Sequence, residues 1–104
     1  MGISAASFRD HTLESICVAY DWEFQSHSVD ILVRNSAGRR FGYRIDGVTD
    51  LNIREDFKHI EEIEMCTFLA VPGRIYISLD PYTEGAESER DNYCIAGKSI
   101  SVVE

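Results

Sequence analysis

Residues 30 to 50 read DILVRNSAGRRFGYRIDGVTD, and this stretch decides the fold prediction. Together with the residue before it, the stretch holds two sets of apolar residues that alternate with polar ones, which is the period of a β-strand with one buried face. The sets are Val29, Ile31 and Val33, and Phe41, Tyr43 and Ile45. They face each other in one register only, because a one-residue slip would turn one set toward water. That register predicts a β-hairpin with the loop Ser36-Ala37-Gly38, and its last position needs the left-handed backbone that glycine adopts freely.

The same register pairs the charged residues of the hairpin. Asp30 falls opposite Arg44, an opposite-charge pair that contributes about 0.2–1 kcal/mol. Arg34 falls opposite Arg40, and like charges in that position cost a similar amount. The second pair therefore predicts a nearby anion, which is a carboxylate of this chain, of a second copy or of a partner.

Length and composition predict a small globular protein. The 104 residues are expected to form one domain, residues 1–104, and 44% hydrophobic residues are enough for one core. No apolar run approaches the ~20 residues of a membrane span, and the start of the chain lacks the pattern of a secretory signal. We therefore expect a cytoplasmic protein that does not contact a membrane. Cys17, Cys66 and Cys94 are odd in number and lie in strand-like runs, so we expect buried, reduced thiols.

The formal net charge of −8 is unevenly distributed along the chain. Residues 34–44 carry four arginines and no acid, whereas residues 1–33 sum to −4 and residues 45–104 sum to −8. Binding a polyanion requires a larger basic surface than one hairpin loop, so we expect no nucleic-acid partner. The charge favours a basic protein as partner, and the alternative is that the acidity only keeps a small domain soluble.

Turn signals divide the rest of the chain into further strands. We expect a mainly β protein, a single antiparallel β-sandwich or bent β-roll of about six to eight strands with at most one short helix. The helix would lie in residues 54–62, where apolar residues recur at a spacing of three. A strand in residues 62–70 is apolar on both faces, which predicts a central position in its sheet. Ala96-Gly97 predicts the turn of a further hairpin within residues 92–103.

No motif in the sequence indicates catalysis or metal binding. His11, His27 and His59 are scattered, the cysteines form no C-x-x-C pair, and no phosphate-binding loop or nucleophile elbow is present. Adjacent acids such as Glu55-Asp56 are typical of solvated charge rather than of a tuned acid and base. We therefore expect a protein that is not an enzyme, with no catalytic residues, no cofactor and no metal site.

The candidate partner-binding residues are aromatic side chains and clustered acids. Aromatic residues anchor protein interfaces, and complementary charge brings partners together. The candidates are Trp22, Glu23, Phe24, Glu61, Glu62, Glu64, Tyr82, Glu84, Glu87, Glu89 and Asp91. Two alternatives remain open. Trp22 and Phe24 also fit a role in closing the core, and residues 81–91, PYTEGAESERD, are also typical of a solvated connection.

Three segments of the sequence resemble one known family. Ser7-Phe8-Arg9-Asp10, with the apolar strand that follows it, resembles the F-H-D start of small bacterial proteins classed as immunity protein 50, which are encoded beside polymorphic toxins. Gly47-Val48 with Leu51 is similar to the central G-V-x-x-L segment of that family, and Asp56-Phe57 with Ile60 is similar to the D-F that follows it. Together these segments span most of residues 7–63.

The resemblance implies a non-catalytic, β-rich inhibitor that binds one cognate toxin inside the producing cell. With the charge distribution, it leads to the hypothesis of an immunity-type protein that neutralises a basic bacterial toxin by protein–protein contact, as a monomer or homodimer. On this hypothesis the arginines of residues 34–44 belong to the scaffold and the acidic remainder is the binding surface. The first alternative is an interaction or accessory module without a toxin that associates with itself, and the second is a small hydrolase.

Overall fold

The structure is a computed structural model, and it describes residues 3–53 and 62–103. Strands make up more than half of these residues. A 3-10 turn at Ala5–Ser7 comes first and is the only helical element in those ranges. The strands are β1 (Thr12–Asp21), β2 (Ser26–Arg34), β3 (Arg40–Asp46), β4 (Asp50–Asn52), β5 (Thr67–Val71), β6 (Arg74–Asp80), β7 (Asn92–Gly97) and β8 (Ser99–Val102). Across the described residues, no helix is long and apolar enough to cross a membrane.

The strands form two antiparallel sheets that enclose one core. The first sheet has the order β1-β2-β3-β8 and the second has the order β4-β7-β6-β5. The core lies between them, and its buried side chains include Val29, Ile31, Ile45, Ile77 and Ile95. The expected mainly β, sandwich-like fold is therefore confirmed. The segment for which the sequence leaves open a short helix or an irregular structure, residues 54–62, lies outside the described residues except for Glu62.

The β2–β3 hairpin has the predicted register and the predicted loop. Val33 pairs with Phe41, and the pairs that follow it along the two strands are the expected ones. Gly38 has a φ of +87°, and its N–H donates to the carbonyl of Asn35 at 3.0 Å. The Oδ1 atom of Asn35 accepts hydrogen bonds from the N–H groups of Ala37 and Arg39 at 3.0 and 2.9 Å. A side-chain acceptor of this kind stabilises a tight turn.

Carboxylates of the same chain balance two of the hairpin arginines. Arg34 faces Arg40, as predicted, and Arg40 Nε lies 2.9 Å from Oε1 of Glu14. Glu14 lies at the point where the β1–β2 register shifts, so a β-bulge directs this acid to the arginine. Farther along the hairpin, Arg44 donates two hydrogen bonds to Asp30, at 2.8 and 3.0 Å. Hydrogen bonding to Arg44 lowers the pKa of the Asp30 carboxyl. The nearby anion that the register predicts for Arg40 is therefore Glu14.

Two predictions about the second half of the chain are wrong. The strand predicted in residues 62–70 begins only at Thr67, and β5 lies at the edge of its sheet rather than at the centre. Residues 92–103 form no hairpin, because β7 pairs with β4 and β6 whereas β8 pairs with β3. The alternation of apolar residues is correct for both strands, but the two strands belong to different sheets.

The chain crosses between the two sheets just after β7, and Gly97 permits the crossing. A Cβ atom at this position would lie 2.7 Å from Cγ2 of Ile45 and 2.9 Å from the carbonyl oxygen of Asp46. Neither neighbour can move far, since one is in the core and the other is backbone. Glycine is therefore required here for close approach between β7 and β3.

The three cysteines differ in exposure, which corrects the prediction that all are buried. Cys66 is buried and Cys94 is half-buried, but Cys17 on β1 is exposed. Burial raises the pKa of the Cys66 thiol to about 12. The thiolate is the reactive form of cysteine. Cys66 should therefore react slowly with thiol reagents, because its thiol is seldom ionised and the surrounding protein blocks access to it.

We expect a thiol reagent to modify Cys17 first in the folded protein and Cys66 only after unfolding. The measurement is peptide mapping by mass spectrometry after timed exposure to iodoacetamide, first in buffer and then in urea. Cys94 is an internal reference of intermediate exposure. Equal modification rates for Cys17 and Cys66 in the folded protein would contradict the burial described above.

Candidate functional site

The turn between β1 and β2 carries the two most exposed aromatic side chains of the described residues. Trp22 is 75% exposed and Phe24 is 78% exposed. Asp21 orders the turn, because its Oδ1 atom accepts hydrogen bonds from the N–H groups of Glu23 at 2.9 Å and of Phe24 at 3.4 Å. Gln25 completes it with a left-handed φ of +51°. The alternative that the two aromatic residues close the core is therefore wrong. We call residues 18–27 the β1–β2 tip.

Two further apolar side chains of the tip are exposed although they lie on the core-facing side of β1. Val18 pairs with the buried Val29 and Tyr20 pairs with His27, yet Val18 is 53% exposed and Tyr20 is 55% exposed. Residues 48–51, in and just before β4 of the second sheet, lie across an open cleft from Val18 and His27, so this end of β1 stays accessible. Because clustered exposed apolar residues are uncommon on monomeric proteins, such a cluster indicates a contact surface.

An open cleft of about 310 Å³ lies beside the tip, between the two sheets. It is lined by Val18, His27, Val48, Thr49, Asp50 and Leu51. The N–H of Val48 donates to the carbonyl of His27 at 3.0 Å, which fixes the segment before β4 against the tip. On the other side the ring of Tyr20 packs on that of His27, with 4.8 Å between centroids. The volume of the cleft is at the low end for a ligand pocket, so the cleft can receive a side chain of a bound protein.

The surface around the tip is acidic. The two segments that build it, residues 18–27 and 45–53, contain four acids and no lysine or arginine. The acids are Asp21, Glu23, Asp46 and Asp50. Two cations lie near them: the side chain of Lys98 is next to Gly47, and Arg74 interacts electrostatically with Asp50. The tip therefore combines exposed aromatic groups with an excess of negative charge.

The loop of residues 81–91 lies back against the outer face of the second sheet, which corrects its description as a simple solvated connection. The hydroxyl of Thr67 donates to the carbonyl of Thr83 at 3.4 Å and accepts a hydrogen bond from the N–H of Gly85 at 2.9 Å. Where the loop ends, the hydroxyl of Ser78 donates to the carbonyl of Asn92 at 2.9 Å. Tyr76, on the same face of β6 as Ser78, is buried.

Asp91, the last residue of this loop, is fully buried. The prediction that it belongs to the exposed binding surface is therefore wrong. Its Oδ1 atom accepts the N–H of Tyr82 at 2.8 Å, and its Oδ2 atom accepts the N–H of Ser88 at 3.0 Å and the hydroxyl of Tyr76. Burial, and secondly the hydrogen bond to Asp91, raise the pKa of Tyr76. A buried carboxylate is stable only with such partners, and three donors inside the protein supply them here.

Two other acids of the loop are bound by arginines of the same chain. Glu84 accepts a hydrogen bond from the N–H of Cys66 at 3.0 Å and another from Arg9 Nε at 3.1 Å, and these contacts lower the pKa of the Glu84 carboxyl. Glu87 accepts two hydrogen bonds from Arg74, at 2.8 and 3.2 Å. The negative charge of this loop is therefore partly balanced within the protein.

The structure separates the predicted binding residues into two groups. Trp22, Glu23 and Phe24 lie together at the tip. Among the others that are described and exposed, Tyr82, Glu84, Glu87 and Glu89 lie in the loop of residues 81–91, and Glu62 and Glu64 precede β5. Glu62 pairs with Thr12 at the start of β1, whereas the tip follows its end, so Glu62 is roughly 30 Å from the tip along that strand. Glu87 is bound to Arg74, which also interacts electrostatically with Asp50 beside the tip. Glu61 lies outside the described residues.

Prediction from the sequence missed the remaining members of the tip surface, which are Val18, Tyr20, His27 and Leu51. Their alternation is typical of core-facing strand residues, and their side chains do point toward the interior. The informative feature is the open cleft between Val18 and residues 48–51. Recognising it requires knowing how the two sheets are placed relative to each other.

No group of three His, Cys, Asp or Glu side chains in residues 3–53 and 62–103 is arranged to hold a metal ion. Comparisons with protein-family models, curated proteins and solved structures find no match for the chain. The resemblance to immunity protein 50 therefore stays a prediction from the residues quoted above.

Proposed function

We propose that this protein binds another protein through the β1–β2 tip, and that it acts in the cytoplasm as an immunity-type inhibitor of a basic bacterial toxin. The observation that carries the proposal is the exposure of Trp22 and Phe24 on an ordered turn, beside Val18 and Tyr20. Trp and Tyr are enriched among the residues that contribute most to protein interfaces, because they bury a large area and lose few rotamers on binding.

Charge supports a basic partner at the same place. A net charge of −8 attracts a basic protein over a distance of about one Debye length and speeds encounter. The acids of the tip then lie next to the aromatic anchors. Arg34, Arg39 and Arg40 lie at the other end of β2 and β3, where they do not oppose such a partner.

Inhibition of this kind needs no chemistry from the inhibitor. A protein that covers the active surface of a toxin excludes its substrate, and the affinity depends on a few desolvated anchors. The cleft beside the tip offers the partner a place for one of its own side chains, with Asp50 at its rim to pair with a cation.

Isothermal titration calorimetry with the purified product of each adjacent gene tests the proposal. We expect one of these products to carry a basic surface, to bind, and to lose its activity in the complex. The association rate should fall as NaCl is raised from about 0.05 to about 0.5 M, because salt screens the attraction. Absence of binding by every flanking product at micromolar concentration would contradict the proposal.

We expect the double substitution Arg34→Ser and Arg40→Ser to change partner binding by less than about threefold, because these residues lie far from the tip. The ion pair between Arg40 and Glu14 is exposed, and such pairs contribute little to stability. The measurement is the same calorimetric titration, with a thermal melt to verify folding. A large loss of affinity would assign the arginine-rich hairpin to the binding surface instead.

A further inference from the structure

Among the described residues, β1 has no partner along most of one edge. On one side it pairs with β2, and on the other, within the described residues, only Thr12 forms a bridge, to Glu62. From Ser15 to Tyr20 the strand reads SICVAY, without a charge, a proline or a glycine. Edge strands of monomeric proteins usually carry interrupting residues such as a charged residue or a proline, because their unpaired N–H and C=O groups otherwise pair with another chain. In β1 the bulge at Glu14 and the acid Asp21 flank this stretch and do not interrupt it.

The other edge strands are shorter or partly covered. β4 has three residues and β8 has four. β5 has five, but the loop of residues 81–91 is bound at its start, where Gly85 donates to Thr67 and the N–H of Cys66 donates to Glu84. β1, with ten residues, therefore offers the longest open edge of the described sheets.

We propose that two copies of this protein pair through β1 in antiparallel fashion, so that their first sheets join into one sheet across a two-fold axis. In the register centred on Val18, the two copies of Val18 face each other and Tyr20 of one copy lies opposite Ile16 of the other. Pairs of an aromatic and a β-branched residue stabilise antiparallel sheets. On the other face Cys17 lies opposite Ala19, and both are small enough for close approach. No two charges meet within this stretch.

A second copy fits this edge better than a strand of a basic partner does. Residues 15–20 contain no acid with which a basic strand could pair. A second copy brings an equally uncharged strand, and the side chains that both present are self-complementary. A two-fold contact of this kind also closes on itself, so it gives a dimer and not a fibre.

The exposed surface is sufficient for a weak dimer. A fully buried aromatic side chain removes about 150–250 Å² from water. Tyr20 and Val18 are each more than half exposed. With the strand backbone, the pair buries less than about 1,000 Å², which is in the range of weak, transient interfaces. We expect a dissociation constant on the order of 10–100 µM.

The dimer does not depend on the proposed function, and it leaves part of the tip accessible. The two copies of Asp21, where β1 ends, are six strand positions apart across the axis, which is about 20 Å. Trp22, Glu23 and Phe24 lie in the turns beyond the paired stretch. The dimer therefore presents two of these turns, at opposite ends of the joined strands, while Val18 and Tyr20 are covered.

Sedimentation velocity of the unmodified protein from about 5 to 500 µM tests the dimer. We expect the mass to rise from that of the monomer, 11.8 kDa, toward twice that value. Each copy carries a net charge of −8 and the paired stretch carries none, so added salt should strengthen the dimer by screening repulsion. Attraction to a basic toxin has the opposite salt dependence. A monomer at the highest concentration, or a dimer that weakens as salt is added, would overturn the proposal.

Two matched lysine substitutions locate the contact. We expect Val18→Lys to raise the dissociation constant at least about tenfold, because two like charges would face each other at the axis. Val18 is half exposed, so the monomer tolerates the change, and a thermal melt verifies this. Ala70→Lys, at an exposed position on the competing edge β5, should change the constant by less than about twofold. A dimer that survives Val18→Lys, or one that dissociates with Ala70→Lys, would show that β1 is not the contact.

A cross-linking experiment tests the register. In a Cys17→Ala, Cys94→Ser background, Val18→Cys places one thiol of each copy at the axis. Two such thiols form one disulfide when diamide takes up their two electrons and two protons, so we expect a covalent dimer as the main product at about 100 µM protein. Tyr20→Cys in the same background, opposite Ile16, should give at most about a tenth of that yield. Equal yields, or no covalent dimer from Val18→Cys, would overturn the register.

Discussion

The Trp22→Ala variant is expected to bind the partner about 30-fold more weakly than the unchanged protein, which corresponds to about 2 kcal/mol of binding free energy. Trp22 is three-quarters exposed in the free protein, so nearly its whole indole ring is available for burial in a complex. Phe24→Ala is expected to have a smaller effect in the same direction, since Phe buries less area and has no hydrogen-bond donor. Calorimetry or surface plasmon resonance with the identified partner measures both effects.

The control for these substitutions is Val71→Ala. Val71 on β5 is also exposed and apolar but lies away from the tip, so its truncation should leave binding unchanged within about twofold. All three variants should unfold at nearly the same urea concentration as the unchanged protein, because exposed side chains contribute little to stability. Equal losses of affinity for Trp22→Ala and Val71→Ala would assign the binding surface elsewhere.

The Asp91→Ala variant is expected to lose about 3 kcal/mol of unfolding free energy. The substitution leaves the buried hydroxyl of Tyr76 and the partly buried N–H groups of Tyr82 and Ser88 without their acceptor. Urea denaturation measures the loss. Amide hydrogen exchange should also become faster at Tyr82 and Ser88, because these two N–H groups hold the loop to the sheet.

Two variants separate this effect from a general sensitivity of the loop. Asp91→Asn keeps the size of the side chain but has one oxygen acceptor instead of two, so we expect an intermediate loss of about 1–2 kcal/mol. Glu89→Ala, at an exposed position of the same loop, should change stability by less than about 0.5 kcal/mol. If Asp91→Ala were as stable as Glu89→Ala, the loop would not depend on the buried carboxylate.

Signals within a short stretch of sequence predicted the central hairpin correctly. The remaining strand pairings depend on contacts between distant parts of the chain, which such signals do not contain. The register from Val29 to Ile45 follows from alternation and from one glycine with a left-handed backbone, all within a short stretch of chain. The partners of β7 and β8 depend on packing between the sheets, and the sequence around Gly97 is as compatible with a turn as with a crossing. The position of β5 at an edge is likewise decided by strands that are distant in sequence.

The candidate site was predicted in part. The aromatic pair Trp22 and Phe24 is recognisable from its acidic neighbours, but the sequence does not show that both lie on an exposed turn rather than closing the core. The acids of residues 84–91 were predicted as a binding surface from their number alone. Their partners, which are Arg9, Arg74 and Tyr76, come from other strands and loops, so the sequence cannot show that these charges are already bound.

The crossing at Gly97 has a consequence for the folding mechanism. β7 is a central strand of the second sheet and β8 is the last strand of the first, so each sheet is completed by neighbouring residues from one short piece of chain. Neither sheet can therefore reach its final form as an independent unit while the other stays unfolded. The pairings β3–β8 and β4–β7 join strands far apart in sequence, which slows folding. The protein is expected to fold slowly, in a single cooperative step, with the β2–β3 hairpin as the element that can form earliest.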